Sequence, residues 1–281
     1  MKNIKKMCED FEQYLLDNKK SNNTIIAYKK DIKQFLNFLV SKKYSINEEK
    51  SINLFLDYLK VDLSLTNKTL SRKLNAIKTF YKYLFNNNHI KCNPSLNLRG
   101  IKTIPSRIVY LSRQDCFKIR SYLEKNPKLK VIVELMLQTG VLISETCNIK
   151  AKEVNFDEGY LIVNKRKIPL NAKIKSLLYM YIKENKIKSY EYIFQTRNKT
   201  QIKPRNLRTQ ITKAISECKM KYTVNHLRNT FIINQLLNNV DKSFLAIVLG
   251  FKTIRSLIRY ENSIGLVGKK SKEKNKVIYE I

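Results

Sequence analysis

Metal-binding and disulfide-forming residues are scarce in this sequence. It has only two histidines, His89 and His226, and its five cysteines are widely spaced without any Cys-x-x-Cys pair. An odd number of isolated cysteines argues against both a disulfide framework and a zinc site. Metal catalysis would need a site made of carboxylates alone, and the sequence shows no such cluster of acids. We therefore expect neither a metal ion nor a cofactor.

Long apolar segments are also absent. No run of eighteen apolar residues occurs, and the N-terminus does not combine a charged segment, an apolar stretch and a small-residue cleavage site. These absences argue against a membrane-spanning helix and against a secretory signal. The sequence therefore predicts a cytoplasmic protein that does not associate with a membrane.

Acidic residues are few in comparison with basic ones. The 281 residues include 55 Lys and Arg but only 23 Asp and Glu, which gives a net charge of +32. Such a surface attracts polyanions. Coding bias in an A+T-rich genome is the alternative, because only 12 of the basic residues are arginine. That bias selects lysine over arginine but does not create the excess of cations, so a nucleic acid is the expected partner.

The first hundred residues have the pattern of helices joined by short polar turns. From Ser21 to Leu39 apolar residues recur at helical spacing, and Thr24 is placed to cap the helix. A second helix of this kind starts near Thr66 and has one apolar face. Outside that face the sequence places five basic residues: Lys68, Arg72, Lys73, Lys78 and Lys82. For each of these cations the alternative is an ordinary solvated surface.

Residues 95–109 lack amphipathic periodicity and contain Gly100 and Pro105, which indicates a linker between two domains. Beyond it, Ser112 is placed to cap a helix, and a strongly apolar helix that runs from Val131 ends at Gly140.

Two short segments with alternating apolar residues follow, at 160–163 and 168–170. They flank four polar residues, 164–167, and predict a β-hairpin with a basic tip.

The segment from Val224 to Tyr260 is the most informative part of the chain. It contains Arg228 within a helical apolar pattern, then a Leu249-Gly250 turn, then a basic run that ends at Tyr260. This order and spacing resemble the catalytic core of the tyrosine recombinases, also called the phage integrase family. The N-terminal third resembles the core-binding domain of the same family in two motifs, made by Thr24, Tyr28 and Asp31 and by Arg72, Leu74, Ala76 and Phe80.

The resemblance implies a mainly α fold with two domains. An N-terminal helical core-binding domain of the SAM-like type is expected at residues 1–98, and a linker at 99–109. A C-terminal α+β domain of the catalytic type is expected at 110–281, with mostly helices and a small antiparallel sheet.

The resemblance also implies site-specific DNA recombination or integration, in which the protein clamps duplex DNA and forms a 3′-phosphotyrosyl intermediate. Tyr260 would be the nucleophile, and Arg228 would bind the non-bridging phosphate oxygens. Lys165 in the hairpin would protonate the leaving 5′ oxygen, with Lys167 as the alternative. DNA contacts in the N-terminal domain are expected from Thr24, Lys68, Arg72, Lys73 and Lys78.

Three positions depart from the family pattern. Leu142 stands where the family has its first catalytic arginine, and Asn225 and Phe251 stand where it has histidines. Loss of one donor to a developing oxyanion costs about 3 kcal/mol of transition-state stabilisation. Two functions therefore remain open: a recombinase with a reduced active site, or an inactive homologue that binds DNA as an architectural accessory. Arg255 and Arg259 are the cations near the nucleophile that could compensate.

The resemblance implies a homotetramer on double-stranded DNA, or a hetero-oligomer with a related recombinase, associated with the nucleoid. Family members dock a C-terminal segment onto the neighbouring protomer. The basic run at 268–276 and the apolar patch at 277–279 are compatible with such an exchange, and a disordered charged tail is the alternative. A third hypothesis, an RNA-binding helical protein, would require a preference for single strands.

Overall fold

The chain divides into two units, Met1–Pro105 and Ser106–Ile281. The structure, a computed structural model, describes residues 2–104, 106–265 and 279. The division falls within the predicted linker at 99–109, whose bounds stay a prediction. In the described part of the chain, no helix is both long enough and apolar enough to cross a membrane.

The described part of the N-terminal unit consists of four helices: α1 (Lys2–Asp17), α2 (Asn22–Lys42), α3 (Glu49–Val61) and α4 (Asn67–Asn86). Thr66 caps α4 by accepting a hydrogen bond from the Thr69 backbone N–H, which confirms the predicted start of this helix. The prediction that Thr24 caps α2 is wrong. Ser21 is the cap, because it lies outside the helix and its oxygen accepts the free N–H of Thr24 in the first turn.

Aromatic side chains dominate the core of the N-terminal unit. Phe35, Phe55 and Tyr81 are fully buried, and the Phe35 ring lies 5.1 Å from the Phe55 ring and 6.1 Å from the Tyr81 ring. The Tyr81 hydroxyl donates a 2.8 Å hydrogen bond to the Ile46 carbonyl, so its polar atom has a partner inside the core. Burial raises the pKa of this phenol. The apolar faces of α2, α3 and α4 therefore meet in one core, as the periodicity of the segments that form α2 and α4 predicts.

The C-terminal unit is built around eight helices among its described residues: α5 (Arg113–Leu123), α6 (Pro127–Thr139), α7 (Ile143–Thr146), α8 (Ala172–Glu184), α9 (Pro204–Glu217), α10 (Val224–Leu237), α11 (Lys242–Leu249) and α12 (Arg255–Ser263). Ser112 caps α5, and Gly140 ends α6, both as predicted. However, α6 begins at Pro127 and not at Val131, because Asn126 caps it and proline is favourable at the first helical position.

Helix α6 is the centre of the C-terminal unit. Every one of its residues from Val131 to Thr139 is buried, and the helix packs against α5, α8 and α10. This burial explains why the segment is apolar on all sides rather than along one stripe. Its acidic residue Glu134 is balanced by a bidentate ion pair with Arg120, with both N–O distances 2.9 Å. Burial opposes ionisation of Glu134, but the hydrogen bonds and charges around it leave its pKa lowered.

The sheet is small and antiparallel, in the order β1 (Val154–Asn155), β2 (Tyr160–Val163) and β3 (Arg166–Pro169). A short 3-10 turn at Ala151–Glu153 leads into it. Strands β2 and β3 form the predicted hairpin, but its turn has two residues, not four. Asn164 and Lys165 both have positive φ angles, 48° and 65°, which two-residue hairpin turns require and which asparagine tolerates well. Arg166 therefore belongs to β3 and pairs with Val163.

Gly140 joins α6 to the rest of the C-terminal unit. It has a φ of +66°, and a Cβ atom at this position would overlap the ring of Phe231 on α10 and lie 3.0 Å from Leu249 Cδ2 on α11. The close approach of α6, α10 and α11 therefore requires glycine.

We predict that Gly140→Ala lowers the free energy of unfolding by about 3 kcal/mol, because left-handed strain adds to overpacking. Gly159→Ala is the matched control, since its φ is +68° but its nearest neighbouring atom would lie 3.8 Å away. The control loses about 1 kcal/mol through strain alone. Urea denaturation of both variants measures the difference. Equal losses would show that the Phe231 contact does not constrain this position.

Candidate active site

Arg228, on α10, is a buried arginine that binds the ends of two other helices. Only 8% of its surface is exposed. One terminal nitrogen donates to the Gly140 carbonyl at the end of α6, and the other donates a 2.8 Å hydrogen bond to the Leu249 carbonyl at the end of α11. The last carbonyls of a helix lack internal donors and carry the negative end of its dipole. A guanidinium is therefore well suited to this position.

The charge of Arg228 persists in this environment. Burial lowers the pKa of the guanidinium, Glu145 and Tyr260 oppose that effect, and Arg166 lowers the pKa further. An arginine nevertheless remains protonated in proteins. Its two hydrogen bonds to carbonyls occupy two of the five N–H groups that a guanidinium carries. Donors therefore remain for an anion.

Arg166 is a second arginine at the same helix end, and no sequence pattern predicted a role for it. Its guanidinium donates a 2.6 Å hydrogen bond to the Val248 carbonyl and forms an ion pair with Glu145. It also packs over Gly250, where a Cβ atom would lie 2.7 Å from the Arg166 Nη1 atom. The residue could have been found from strand alternation, because Arg166 shares a face of β3 with buried Ile168.

Glu145 connects the hairpin to the start of α7. One carboxylate oxygen accepts a 2.8 Å hydrogen bond from the Leu142 backbone N–H, at the first turn of that helix. The other accepts from the Asn164 side chain at 3.1 Å and from Arg166. The bond to the start of α7 is therefore one half of the role of Glu145. The other half is to hold the guanidinium of the hairpin.

Tyr260, on α12, is buried, with 6% of its surface exposed. Its hydroxyl donates a 3.3 Å hydrogen bond to the Asn229 side-chain oxygen, and the Asn229 amide donates to the Val109 carbonyl at 2.8 Å. Asn229 directly follows Arg228 on α10. The guanidinium of Arg259 lies 5.2 Å from the centre of the Tyr260 ring, so this predicted compensating cation covers the ring. Arg255 is exposed.

The three positions that depart from the family pattern supply little to the site. Leu142 is 42% exposed at the start of α7, and its side chain has no donor. Asn225 is exposed on the first turn of α10. The centre of the Phe251 ring lies 5.3 Å from the Arg228 guanidinium carbon, so an aromatic ring packs against that guanidinium.

His226 has a structural role, as its position one residue from Asn225 suggests. Its Nδ1 atom accepts a 3.2 Å hydrogen bond from the Thr223 N–H at the start of α10. Its ring contacts Tyr222 edge to face at 5.8 Å. Burial lowers the pKa of this imidazole, which favours the neutral form that accepts the capping bond.

The two candidate lysines of the hairpin differ in environment. Lys165 lies in the turn and is exposed, and within the described residues no hydrogen bond or ion pair engages its ammonium. Lys167 lies on the opposite face of β3 from Arg166, and its ammonium rests 4.4 Å from the centre of the Tyr160 ring. Lys165 is therefore the freer of the two.

The residues predicted to contact DNA in the N-terminal unit do not form one exposed row. Lys68 is exposed, but Lys73 is only 7% exposed, so its predicted place outside the buried face is wrong. Its ammonium lies 2.8 Å from a carboxylate oxygen of buried Asp31 and 2.6 Å from the Gln34 side-chain oxygen. Because Asp31 on α2 needs a cation, it draws Lys73 inward.

Three further residues predicted to contact DNA are already bonded to other groups of the protein. Arg72 is exposed and pairs with the second oxygen of Asp31. Lys78 is half-buried and donates to the Leu98 carbonyl. Thr24 is half-buried, with its hydroxyl 2.8 Å from that of Ser21. The role of all five residues in DNA binding stays a prediction.

The C-terminal end is described at one residue. The Tyr279 backbone exchanges two hydrogen bonds with the side chain of buried Gln235 on α10, at 2.7 and 2.8 Å. The predicted basic run at 268–276 and the rest of the apolar patch lie outside the described residues. Among the described residues, no group of histidines, cysteines and carboxylates is placed to hold a metal ion.

The family model described as Phage integrase family matches residues 109–264, and the one described as Phage integrase, N-terminal SAM-like domain matches residues 8–88. A protein named tyrosine recombinase from Agathobacter rectalis is 28% identical over 283 residues, and the match covers 90% of each chain.

Solved structures of lambda integrase have the same fold as this chain. A lambda integrase dimer bound to a COC′ core site has a TM-score of 0.76 at 18% identity, covering 96% of this chain and 99% of that one. A lambda integrase tetramer bound to a Holliday junction has a TM-score of 0.72 at 18% identity, covering 96% of this chain and 79% of that one. These matches confirm the predicted fold class, including the SAM-like N-terminal domain.

We predict that Lys73→Met lowers the free energy of unfolding by about 2 kcal/mol, because buried Asp31 then keeps only Arg72 as a partner. The matched control Lys68→Met changes stability by less than about 0.5 kcal/mol, because its side chain is exposed. The control instead reduces the slope of log affinity for duplex DNA against log salt by about one unit, as expected for loss of one phosphate contact. Urea denaturation and salt titration separate the two effects. A stable Lys73→Met variant with flattened salt dependence would restore Lys73 as a phosphate contact.

Proposed function

Since this chain belongs to the phage integrase family, whose members include the tyrosine recombinases, we propose that it carries out site-specific DNA recombination with Tyr260 as the nucleophile. The phenolic oxygen forms a bond to the phosphorus of a phosphodiester, and the bond from phosphorus to the 5′ oxygen breaks. The resulting 3′-phosphotyrosyl link conserves the bond for rejoining. The phenol proton passes to solvent, and the leaving oxygen takes a proton from Lys165.

One observation carries this proposal. The Tyr260 hydroxyl is hydrogen-bonded to Asn229, the residue next to Arg228 on α10. The phenol is therefore bonded to the residue that follows the charged Arg228. A phosphate that replaces Asn229 as the hydrogen-bond partner of Tyr260 comes close to the Arg228 guanidinium. A guanidinium matches the geometry of phosphate oxygens better than an ammonium does.

The burial of Tyr260 defines a resting arrangement. The hydroxyl is bonded to Asn229 and the ring is covered by Arg259, so the phenol is not free to attack in this arrangement. We infer that bound DNA displaces both contacts, so that the phenol is exposed only at a phosphate. Lys165 fits the role of proton donor better than Lys167, because no described residue bonds to its ammonium while that of Lys167 rests on an aromatic ring.

Double-stranded DNA is the proposed partner, with assembly into a tetramer of this chain or a hetero-oligomer with a related recombinase, at the nucleoid. The net charge of +32 supports a polyanion partner. The two lambda integrase structures with this fold contain DNA, as a dimer and as a tetramer. Backbone phosphates account for most of the affinity of such complexes, so we expect binding to weaken steeply with salt.

A second function has an observation in its favour. Leu142, Asn225 and Phe251 leave the site without three polar side chains that the family pattern contains. If these losses abolish chemistry, the protein is a DNA-binding accessory that occupies a recombination site or assists an active relative.

Covalent trapping distinguishes the two functions. We predict that the protein forms a denaturation-resistant adduct with a duplex nicked beside the cleavage point, because release of the short strand prevents rejoining. The duplex would carry the sequence that the protein itself enriches from a random pool. Tyr260→Phe abolishes the adduct but leaves DNA affinity unchanged, because it removes only the nucleophilic oxygen.

Tyr179→Phe is the control, since this tyrosine is exposed on α8. It should form the adduct at the wild-type rate. Tight binding of wild-type protein to its selected duplex without any adduct, over a full set of nick positions, would support the accessory function and contradict the enzymatic one.

A further inference from the structure

The active site contains a charge that the family pattern does not explain. Leu142 cannot bind a phosphate, so Arg228 would face the two non-bridging oxygens alone. Arg166, from the hairpin, brings a second guanidinium to the same helix end. The question is whether this arginine only holds the hairpin in place or also binds the substrate.

The two guanidinium groups are anchored on consecutive carbonyls. Arg166 donates to the Val248 carbonyl at 2.6 Å, and Arg228 donates to the Leu249 carbonyl at 2.8 Å. Both carbonyls belong to the last turn of α11, whose dipole favours cations. Gly250 then lets the Arg166 guanidinium lie directly against the backbone. The arrangement is a pair of like charges that one helix end holds together.

The charges within this pair do not balance. Among the residues that the structure describes, Glu145 is the one carboxylate that contacts either guanidinium, and its two oxygens are already shared by three donors. The nearest acid on α12, Glu261, pairs with Lys242 instead. Two cations therefore share one anion in a partly buried place, where an uncompensated charge is costly. A bound anion would restore the balance.

The short hairpin turn explains why Arg166 can reach this place. Because only Asn164 and Lys165 form the turn, Arg166 is the first residue of β3 and pairs with Val163. Strand alternation then directs it to the same side as buried Ile168, while Lys167 takes the opposite side. Asn164 reinforces the position by donating to Glu145. A turn longer by one residue would exchange these sides.

We propose that Arg166 is a phosphate-binding residue of this site and supplies, from the hairpin, the second guanidinium that position 142 lacks. This inference rests on the proposed function, and the ligand is the phosphodiester that Tyr260 attacks. Arg166 keeps its bonds to Glu145 and Val248 and presents its remaining N–H groups to one non-bridging oxygen. Arg228 presents its own to the other.

We predict that Arg166→Gln lowers the rate of adduct formation on the nicked duplex by about a hundredfold, as expected for loss of one oxyanion donor. Arg166→Lys keeps part of the rate, because an ammonium retains the charge but not the paired donors. Lys152→Gln, at an exposed position in the 3-10 turn before β1, is the control and keeps the wild-type rate. Thermal unfolding of each variant checks that the fold is retained.

A substrate with a neutral methylphosphonate at the cleavage point tests for direct contact. If Arg166 neutralises the phosphate, Arg166→Gln regains at least tenfold on this substrate relative to its rate on the ordinary phosphate. A variant damaged only in its structure loses activity on both substrates alike. Adding Leu142→Arg to Arg166→Gln should likewise raise the rate. An unchanged rate in Arg166→Gln, or absence of both rescues, would overturn the inference.

Failure of the proposed function gives a different result. If the wild-type protein binds its duplex but forms no adduct, the salt dependence of binding still reports on Arg166. Arg166→Gln then flattens the slope of log affinity against log salt by about one unit relative to wild type and to Lys152→Gln. An unchanged slope would show that Arg166 only supports the hairpin.

Discussion

The attachment of Arg228 to the C-terminal carbonyls of α6 and α11 is the contact on which the active site depends. It joins the Gly140 turn to the Leu249-Gly250 turn, and so fixes α10 against both helix ends. Without a cation there, buried carbonyls from two helices would lack partners, which costs free energy in a dry interior. The same bonds orient the guanidinium and leave part of it available for an anion. On the proposed mechanism, one side chain therefore meets both a structural and a catalytic demand.

The site also shows how a chain of this family can lack polar side chains of the family pattern and still keep the fold. Glu145 bonds to the backbone at the start of α7, but its cationic partner comes from the hairpin. Phe251 covers the Arg228 guanidinium with an aromatic ring instead of offering a proton. Charge is thus retained at the helix end while groups that accept and donate protons are depleted. On this account the binding of phosphate survives better than proton transfer, so Lys165 carries more of the chemistry.

Much of the fold could be predicted from the sequence, because local rules decide it. Cap residues and apolar periodicity located α4, α5 and the end of α6, and the segment around Arg228 and Tyr260 indicated the family. Arg166 was missed because its role depends on a two-residue turn that sets which side of β3 faces the core. Lys73 was misplaced because helical spacing cannot show that Asp31, on another helix, draws it inward. Both errors concern contacts between different elements, and the periodicity of one element carries no information about such contacts.

The central claim is that Arg228 and Arg166 bind one phosphate beside Tyr260. The most direct test is a crystal structure of the Tyr260→Phe variant bound to its selected duplex. The account predicts that both guanidinium groups lie within about 3 Å of oxygens of a single phosphate, and that the residue 260 ring has turned away from Asn229 toward that phosphate. A duplex whose phosphates contact neither arginine, or Arg228 alone with Arg166 still satisfied only by Glu145 and Val248, would contradict it.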